Sequence, residues 1–209
     1  MKNKITLIIM MTFLLIFSTA TFVSASTPVR IARLPIIMAQ NINVDKSTLS
    51  TLDMKISRNL IVPGDKNAAE YIPTTLSTAA FRDIWIKIYR ENQRANPAEA
   101  IKKLASAVNS DVVIGTILYK FNQDPQNPNI NSHLKSEAAV AMIIYDKRND
   151  EIISEHYQLD YNDNYNVSGT ADSLSQDCLN VILNNIKLRE KVFGKAQELE
   201  REEISRKVL

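Results

Sequence analysis

The chain has 209 residues, with 25 basic and 23 acidic side chains and 45% hydrophobic residues, which is enough for one ordinary folded unit. The two lysines at its start, Lys2 and Lys4, account for the whole excess of positive charge. The remainder is neutral, which excludes a basic nucleic-acid footprint and a polybasic membrane surface.

Residues 1–25 read as an export signal. Lys2 and Lys4 precede an apolar run from Ile5 to Phe17, and Val23-Ser24-Ala25 is the small-residue pattern at which signal peptidase cuts. The alternative is an uncleaved anchor, because Ile5 to Ala25 is near the length of about 20 residues that spans a bilayer. Thr19, Thr21, Ser24, Ser26 and Pro28 interrupt the run and favour cleavage between Ala25 and Ser26. No Cys near that point offers a lipid attachment site, so no stable membrane insertion is expected after processing.

Val29 to Met38 is aliphatic and β-branched, which predicts a first strand, bent or at the sheet margin at Pro35. From Asp45, Leu49, Leu52, Ile56 and Leu60 recur at helical spacing, predicting a helix over 45–60 with Asp45 as N-cap. Val62-Pro63-Gly64-Asp65 ends it as a turn. Residues 74–92 fit two patterns. Leu76, Ala80, Ile84 and Ile88 share a helical face flanked by Phe81, Trp85 and Tyr89, whereas Ile84, Ile86 and Ile88 also alternate as in a strand. Length and the Pro73-Thr74 start favour the helix.

Asn96-Pro97-Ala98-Glu99 is the clearest start signal. Asn caps, Pro at the first helical position loses no needed donor, and Glu99 stands where a capping box places its acid. Ile101, Leu104, Ala105 and Val108 form the buried stripe of the helix that follows, to about Asn109. Asp111 to Phe121 then reads as a strand buried on both faces, parallel to the first. Asn122 to Ser132 is rich in Asn and Pro and predicts a surface loop. Ser136 to Tyr145 and Glu151 to Asp160 form an antiparallel hairpin about the polar turn 146–150, the second strand half-exposed by its alternation.

From Thr170 to Phe193 the pattern is helical, with Gly194 as a stop or kink. Residues 195–209 form a charged tail in which Glu202 with Arg206 and Glu203 with Lys207 have helix-supporting spacing. Cys178 is the only cysteine, so no intrachain disulfide exists. A reactive thiol is possible in principle, but Cys178 shares a helical face with Leu174, Val181, Ile182 and Ile186 and reads as a core residue.

Three stretches resemble one group of envelope proteins. Ile31-Ala32-Arg33-Leu34-Pro35, the passage Ala105 to Ile117 with Asp111 and Gly115, and the hairpin Val140 to Ser154 are similar to motifs of three families. These are the curli secretion channel subunit, the penicillin-binding-protein activator lipoproteins and the amino-terminal domain of the Tol-Pal propeller protein. The resemblance covers roughly residues 29–190. It implies a mixed sheet with helices packed on it, used for contacts between envelope proteins, with Gly115 admitting a neighbouring helix. Departures are Asn149 and Asp150 in place of a turn Gly, the missing lipidation Cys, and the lack of spare hairpins for channel strands.

Catalytic constellations are not evident. The chain holds four glycines and lacks a G-x-S-x-G elbow, an H-E-x-x-H helix and a phosphate loop. His133, placed in a loop, and His156, on an exposed strand face, are weak metal candidates. Asp160, Asn162 and Asn164 match the start of an EF-hand loop, but Tyr165 and Ala171 stand where its Gly and Glu belong, so the segment reads as a strand end and turn. Asp146 and Asp150 could act as acid and base, but in a hairpin turn solvent would keep both ionised. Asn166-Val167-Ser168 fits a glycosylation sequon. The aromatics Tyr71, Phe81, Trp85 and Tyr89 form either a binding feature or core.

The expectation is an α/β (α+β) fold with a mixed sheet of about four strands. It comprises a signal over 1–25, one envelope domain over 26–194 and a helical tail over 195–209. The function expected is that of an exported, non-enzymatic protein of the periplasm or cell envelope, without cofactor or metal. Its partner would be another envelope protein, in outer-membrane or peptidoglycan-linked assembly. The alternatives are a secreted hydrolase, which would need His156 or an acidic pair in a pocket with a converging polar group, and an adaptor tethered by the first segment.

Overall fold

The structure, a computed structural model, describes residues 27–39, 41–94, 96–124 and 133–194. The expected signal segment with Ala25 and Ser26, and the tail over 195–209, lie outside the described residues. The expected mixed sheet with helices packed on it is present, and it has six strands. The order β3-β1-β4-β5-β6 comprises β1 (Val29–Arg33), β3 (Ala69–Ile72), β4 (Val112–Asp124), β5 (His133–Asp146) and β6 (Glu151–Asn164). The short β2 (Ile37–Met38) also pairs with β4.

Two of these strands, β2 and β3, add to those the sequence predicts. Pro35 cannot donate to a ladder, so the first apolar run is cut into β1 and β2, both parallel to β4. The break lies inside the sheet, since β1 is flanked by β3 and β4. The other addition, β3, has only Ala69-Glu70-Tyr71-Ile72 and becomes a strand by pairing parallel with β1, Val29 opposite Ala69 and Ala32 opposite Ile72. The second half of the sheet is an antiparallel meander, β4-β5-β6. Its strands outrun the sequence reading: β4 continues to Asp124, β5 begins at His133, and β6 continues to Asn164.

Helices cover both faces. On one, α1 (Lys46–Asn59), α4 (Ala171–Ile186) and α5 (Leu188–Phe193) bring Leu52, Ile56, Cys178, Leu179, Ile182 and Val192 onto Ile31, Ile114, Val140 and Met142. On the other, α3 (Pro97–Ala107) packs Ile101, Leu104 and Ala105 onto Ala32, Leu34, Val113 and Tyr145, with α2 (Thr74–Asn92) beside it. Val113 thus faces one core while Val112 and Ile114 face the other, as a doubly buried strand requires.

Several local expectations are met with modified chemistry. Asn96 Oδ1 accepts from the Glu99 amide at 3.1 Å, while Asn96 Nδ2 donates to the Glu99 carboxylate at 3.1 Å. Asp45 occupies the N-cap of α1 but its side chain makes no cap bond. A Cβ on Gly115 would lie 3.3 Å from Ile101 Cδ1, so this glycine does admit α3. The C-terminal helical stretch breaks at Lys187, whose φ of 51° separates α4 from α5, before Gly194 ends α5.

Candidate interaction surface

Helix α2 covers the sheet with a narrow stripe. Ser77 (0% exposed) and Ile88 (1%) are its buried residues, and Ala80, Phe81 and Ile84 pack partly buried against the α3-side core. Residues 77, 81, 84 and 88 follow helical spacing. The sequence reading placed Leu76 on this stripe; the inward position is taken instead by Ser77, small enough for close approach, whose hydroxyl donates back to the Pro73 carbonyl at 3.4 Å. Leu76 consequently points outward, 54% exposed, together with Ile86 at 40% and Tyr89 at 55%.

The outer side of α2 has the composition of a contact surface. Ile86 and Tyr89 are neighbours at i,i+3, and Trp85 stands one turn before Tyr89. Trp85 is half-buried and rests on Phe81, ring centroids 5.7 Å apart. Around them, Arg82 pairs loosely with Asp83 and Lys87 with Glu91, while Arg90 makes no ion pair among the described residues. Asp83, Ile86, Lys87, Arg90 and Glu91 line a shallow groove of about 550 Å³. Aromatic and arginine side chains beside exposed aliphatics are the residue types that concentrate binding energy.

The four aromatics do not form one cluster. Tyr71 is opposite Ile31 in the β1–β3 register, and Ile31 belongs to the α1-side core, so Tyr71 lies across the sheet from α2. Its hydroxyl donates to the Leu60 carbonyl at 3.1 Å, and burial raises its pKa, with Arg33 opposing. Phe81 is mainly packing, which leaves Trp85 and Tyr89 to the surface. Ile86 and Leu76 were missed as surface residues; the signal was the 77-81-84-88 spacing, hidden because its first member is a serine.

The polar residues singled out for chemistry serve the framework. Asp146 is 7% exposed, so pairing replaces solvent as the source of its charge. Burial pushes its carboxyl up, but Arg148 outweighs this through two side-chain bonds (2.9 and 2.7 Å) and its amide (2.9 Å), and Asn149 adds another, leaving it below its ordinary value. Arg148 also donates to the Val192 carbonyl at 2.9 Å, fastening α5 to the hairpin. Asp150 takes the left-handed turn position at φ 51° where a glycine was expected. Lys102 at 2.8 Å and the Tyr145 hydroxyl at 3.1 Å hold its carboxylate and lower its pKa. Asp111 accepts from the Arg30 amide at 2.8 Å, tying β1 to β4.

His133 opens β5 rather than lying in a loop; its Nε2 is 2.6 Å from Asn162 Oδ1. His156 pairs opposite Ala141, well along the strand. Asp160, Asn162 and Asn164 all belong to β6 and pair with β5, so they form no ion-binding loop. Among the described residues, no group of three His, Cys, Asp or Glu side chains could hold a metal. Asn166 is exposed and accepts from the Ser168 amide at 3.1 Å. Cys178 is fully buried, and burial raises its thiol pKa to about 11, which makes it a core residue.

Two further clefts are polar. Asn122, Asp124, Lys135, Glu137, Asp160 and Asn162 line one of about 450 Å³ at the far end of the meander, where Asn122 and then Lys120 hold the Glu137 carboxyl below its ordinary value. Asn59, Leu183, Lys187, Leu188 and Arg189 line another of about 230 Å³. Neither His156 nor the Asp146–Asp150 pair lines any of the three.

No family model and no curated protein matches the chain. Solved structures do. Lipoprotein GNA1162 from Neisseria meningitidis is 15% identical with a TM-score of 0.38, the match covering 75% of this chain and 99% of that one. The hypothetical protein CT253 from Chlamydia trachomatis is 14% identical with a TM-score of 0.42, covering 76% and 95%. The LpoB C-terminal domain from Escherichia coli is 10% identical with a TM-score of 0.31, covering 65% and 85%.

Proposed function

We propose that the protein is exported, loses residues 1–25 between Ala25 and Ser26, and works in the cell envelope as a non-enzymatic contact protein. Its partner is another envelope protein, engaged through the outer side of α2. The observation that carries this reading is a helix of 19 residues with two buried ones, holding Ile86 and Tyr89 outward beside Trp85 and Arg90. Exposed large apolar residues grouped with aromatic and arginine side chains mark contact sites rather than a solvated face.

Photo-cross-linking in the cell tests it. A photoreactive side chain at Ile86 or Tyr89 is expected to give one discrete adduct with an envelope protein. The same group at Lys147, exposed in the hairpin turn, is expected to give none. Equal labelling from all three positions overturns the surface. Recovery of the chain in the cytoplasm with residues 1–25 intact overturns export.

A further inference from the structure

The outer edge of the sheet at β6 carries a second, separate surface. β6 ends the strand order and, among the described residues, is paired only with β5. Edges of this kind are usually blunted by charged side chains, especially Lys, by Pro, by bulges or by shortness, and β6 carries Glu151, Glu155, Asp160 and Asp163, so any partner must set these four carboxylates against neutral or basic groups. β6 is 14 residues long, contains neither Pro, Gly nor Lys, and keeps an unbroken register with β5 from Glu151 to Asn164. The irregularity of this meander lies elsewhere, between Leu118 and Lys120 of β4.

We propose that β6 pairs antiparallel with β6 of a second copy of this chain, about a two-fold axis through Gln158. Charge along β6 selects a second copy as the occupant. Among long self-pairing registers, the one centred on Tyr157 sets Glu151 against Asp163, the one centred on Leu159 sets Glu155 against Asp163, and the one centred on His156 stacks that histidine on its copy. Centring on Gln158 pairs residues 152–164 with their symmetry mates and opposes no like charges. His156 then faces Asp160 twice, Glu155 faces Tyr161, and Tyr157 faces Leu159. His156, Gln158 and Asp160 are exposed and share a face. On the other face Tyr157 is 37% exposed while Leu159 rests on the α4-side core, so each Tyr157 ring would cover the partner's Leu159. Such opposed pairs are the stabilising unit of antiparallel edges.

Sedimentation of the wild-type mature chain, combined with site-specific disulfide trapping, tests this. A reversible dimer is expected. Q158C is expected to form an intermolecular disulfide on mild oxidation, because facing residues of an antiparallel pair lie about 4.5–5.5 Å apart at Cα, within disulfide range. S154C, which faces Asn162, is expected not to. Cys178 is buried and does not compete. H156D and D160K are each expected to weaken the dimer by about tenfold through the two affected pairs, and the double variant, which restores an acid opposite a base, to recover. Circular dichroism checks that each variant folds, and the wild-type and Q158C arms do not depend on the charge variants. A chain monomeric at every concentration overturns the proposal, as does equal trapping at positions 154 and 158, or capture of a foreign strand at β6 in place of a second copy.

Discussion

Asp146 shows what a single buried carboxylate does when its partners are supplied locally. It lies at the end of β5 with Arg148 wrapped around it from two residues on. Asp146→Asn keeps the size but removes the charge that answers the guanidinium, and is expected to cost about 2 kcal/mol in a urea titration at neutral pH. Its folded pKa is depressed, so its stabilising contribution is complete above the unfolded value of about 4 and is lost as pH falls through the lower folded value. The variant is therefore expected to lose less stability than wild type between neutral pH and pH about 3. Gly169 makes a steric prediction. A Cβ there would come within 2.5 Å of the Tyr161 ring, so G169A is expected to destabilise by about 1–3 kcal/mol. Most of that should disappear in the Y161A background, a coupling that thermal denaturation of the four proteins measures. Cys178, buried with its thiol pushed up to about 11, is expected to react with maleimide only at the rate of global unfolding.

Elements were legible where the signal was local. The Asn96-Pro97-Glu99 start, the long apolar β4 and the break at Pro35 each depend on the backbone chemistry of a few adjacent residues, and the fold uses them accordingly. β3 was not legible, because Ala69-Glu70-Tyr71-Ile72 has no alternation and its strand character comes from β1, about 40 residues earlier. The break at Lys187 was hidden in the same way: nothing in its side chain announces a left-handed backbone, and the two helices are separated by what each packs against. For α2 the element and most of its inward stripe were readable, Ala80, Ile84 and Ile88 among them; Leu76 was misplaced because the inward position beside it is a serine. This gives a direct contrast. L179A, inside the α4-side core, is expected to cost about 2–5 kcal/mol by denaturant unfolding, whereas I86D on the outer side of α2 is expected to stay within about 0.5 kcal/mol of wild type.

At the scale of the molecule, the sheet is asymmetric in a way that separates its surfaces. The half near β1 and β3 is parallel and capped on one face by α2 and α3; the other half is an antiparallel meander whose last strand among the described residues is β6. Charged side chains that the sequence did not single out for chemistry staple this plan together, Asp111 joining β1 to β4 and Arg148 joining the hairpin to α5. Their roles depend on partners 44 to 81 positions away along the chain, which no local pattern reports. Of the aromatics that the sequence singled out on α2, Phe81 packs against the core while Trp85 and Tyr89 lie toward its outer side. The most direct measurement is the affinity of the purified mature chain for the envelope protein that cross-links at Ile86, compared between wild type and I86D with their melting temperatures. The account predicts binding weaker by about tenfold or more at an unchanged melting temperature. Unchanged affinity, or a loss that appears only together with a lowered melting temperature, would contradict it.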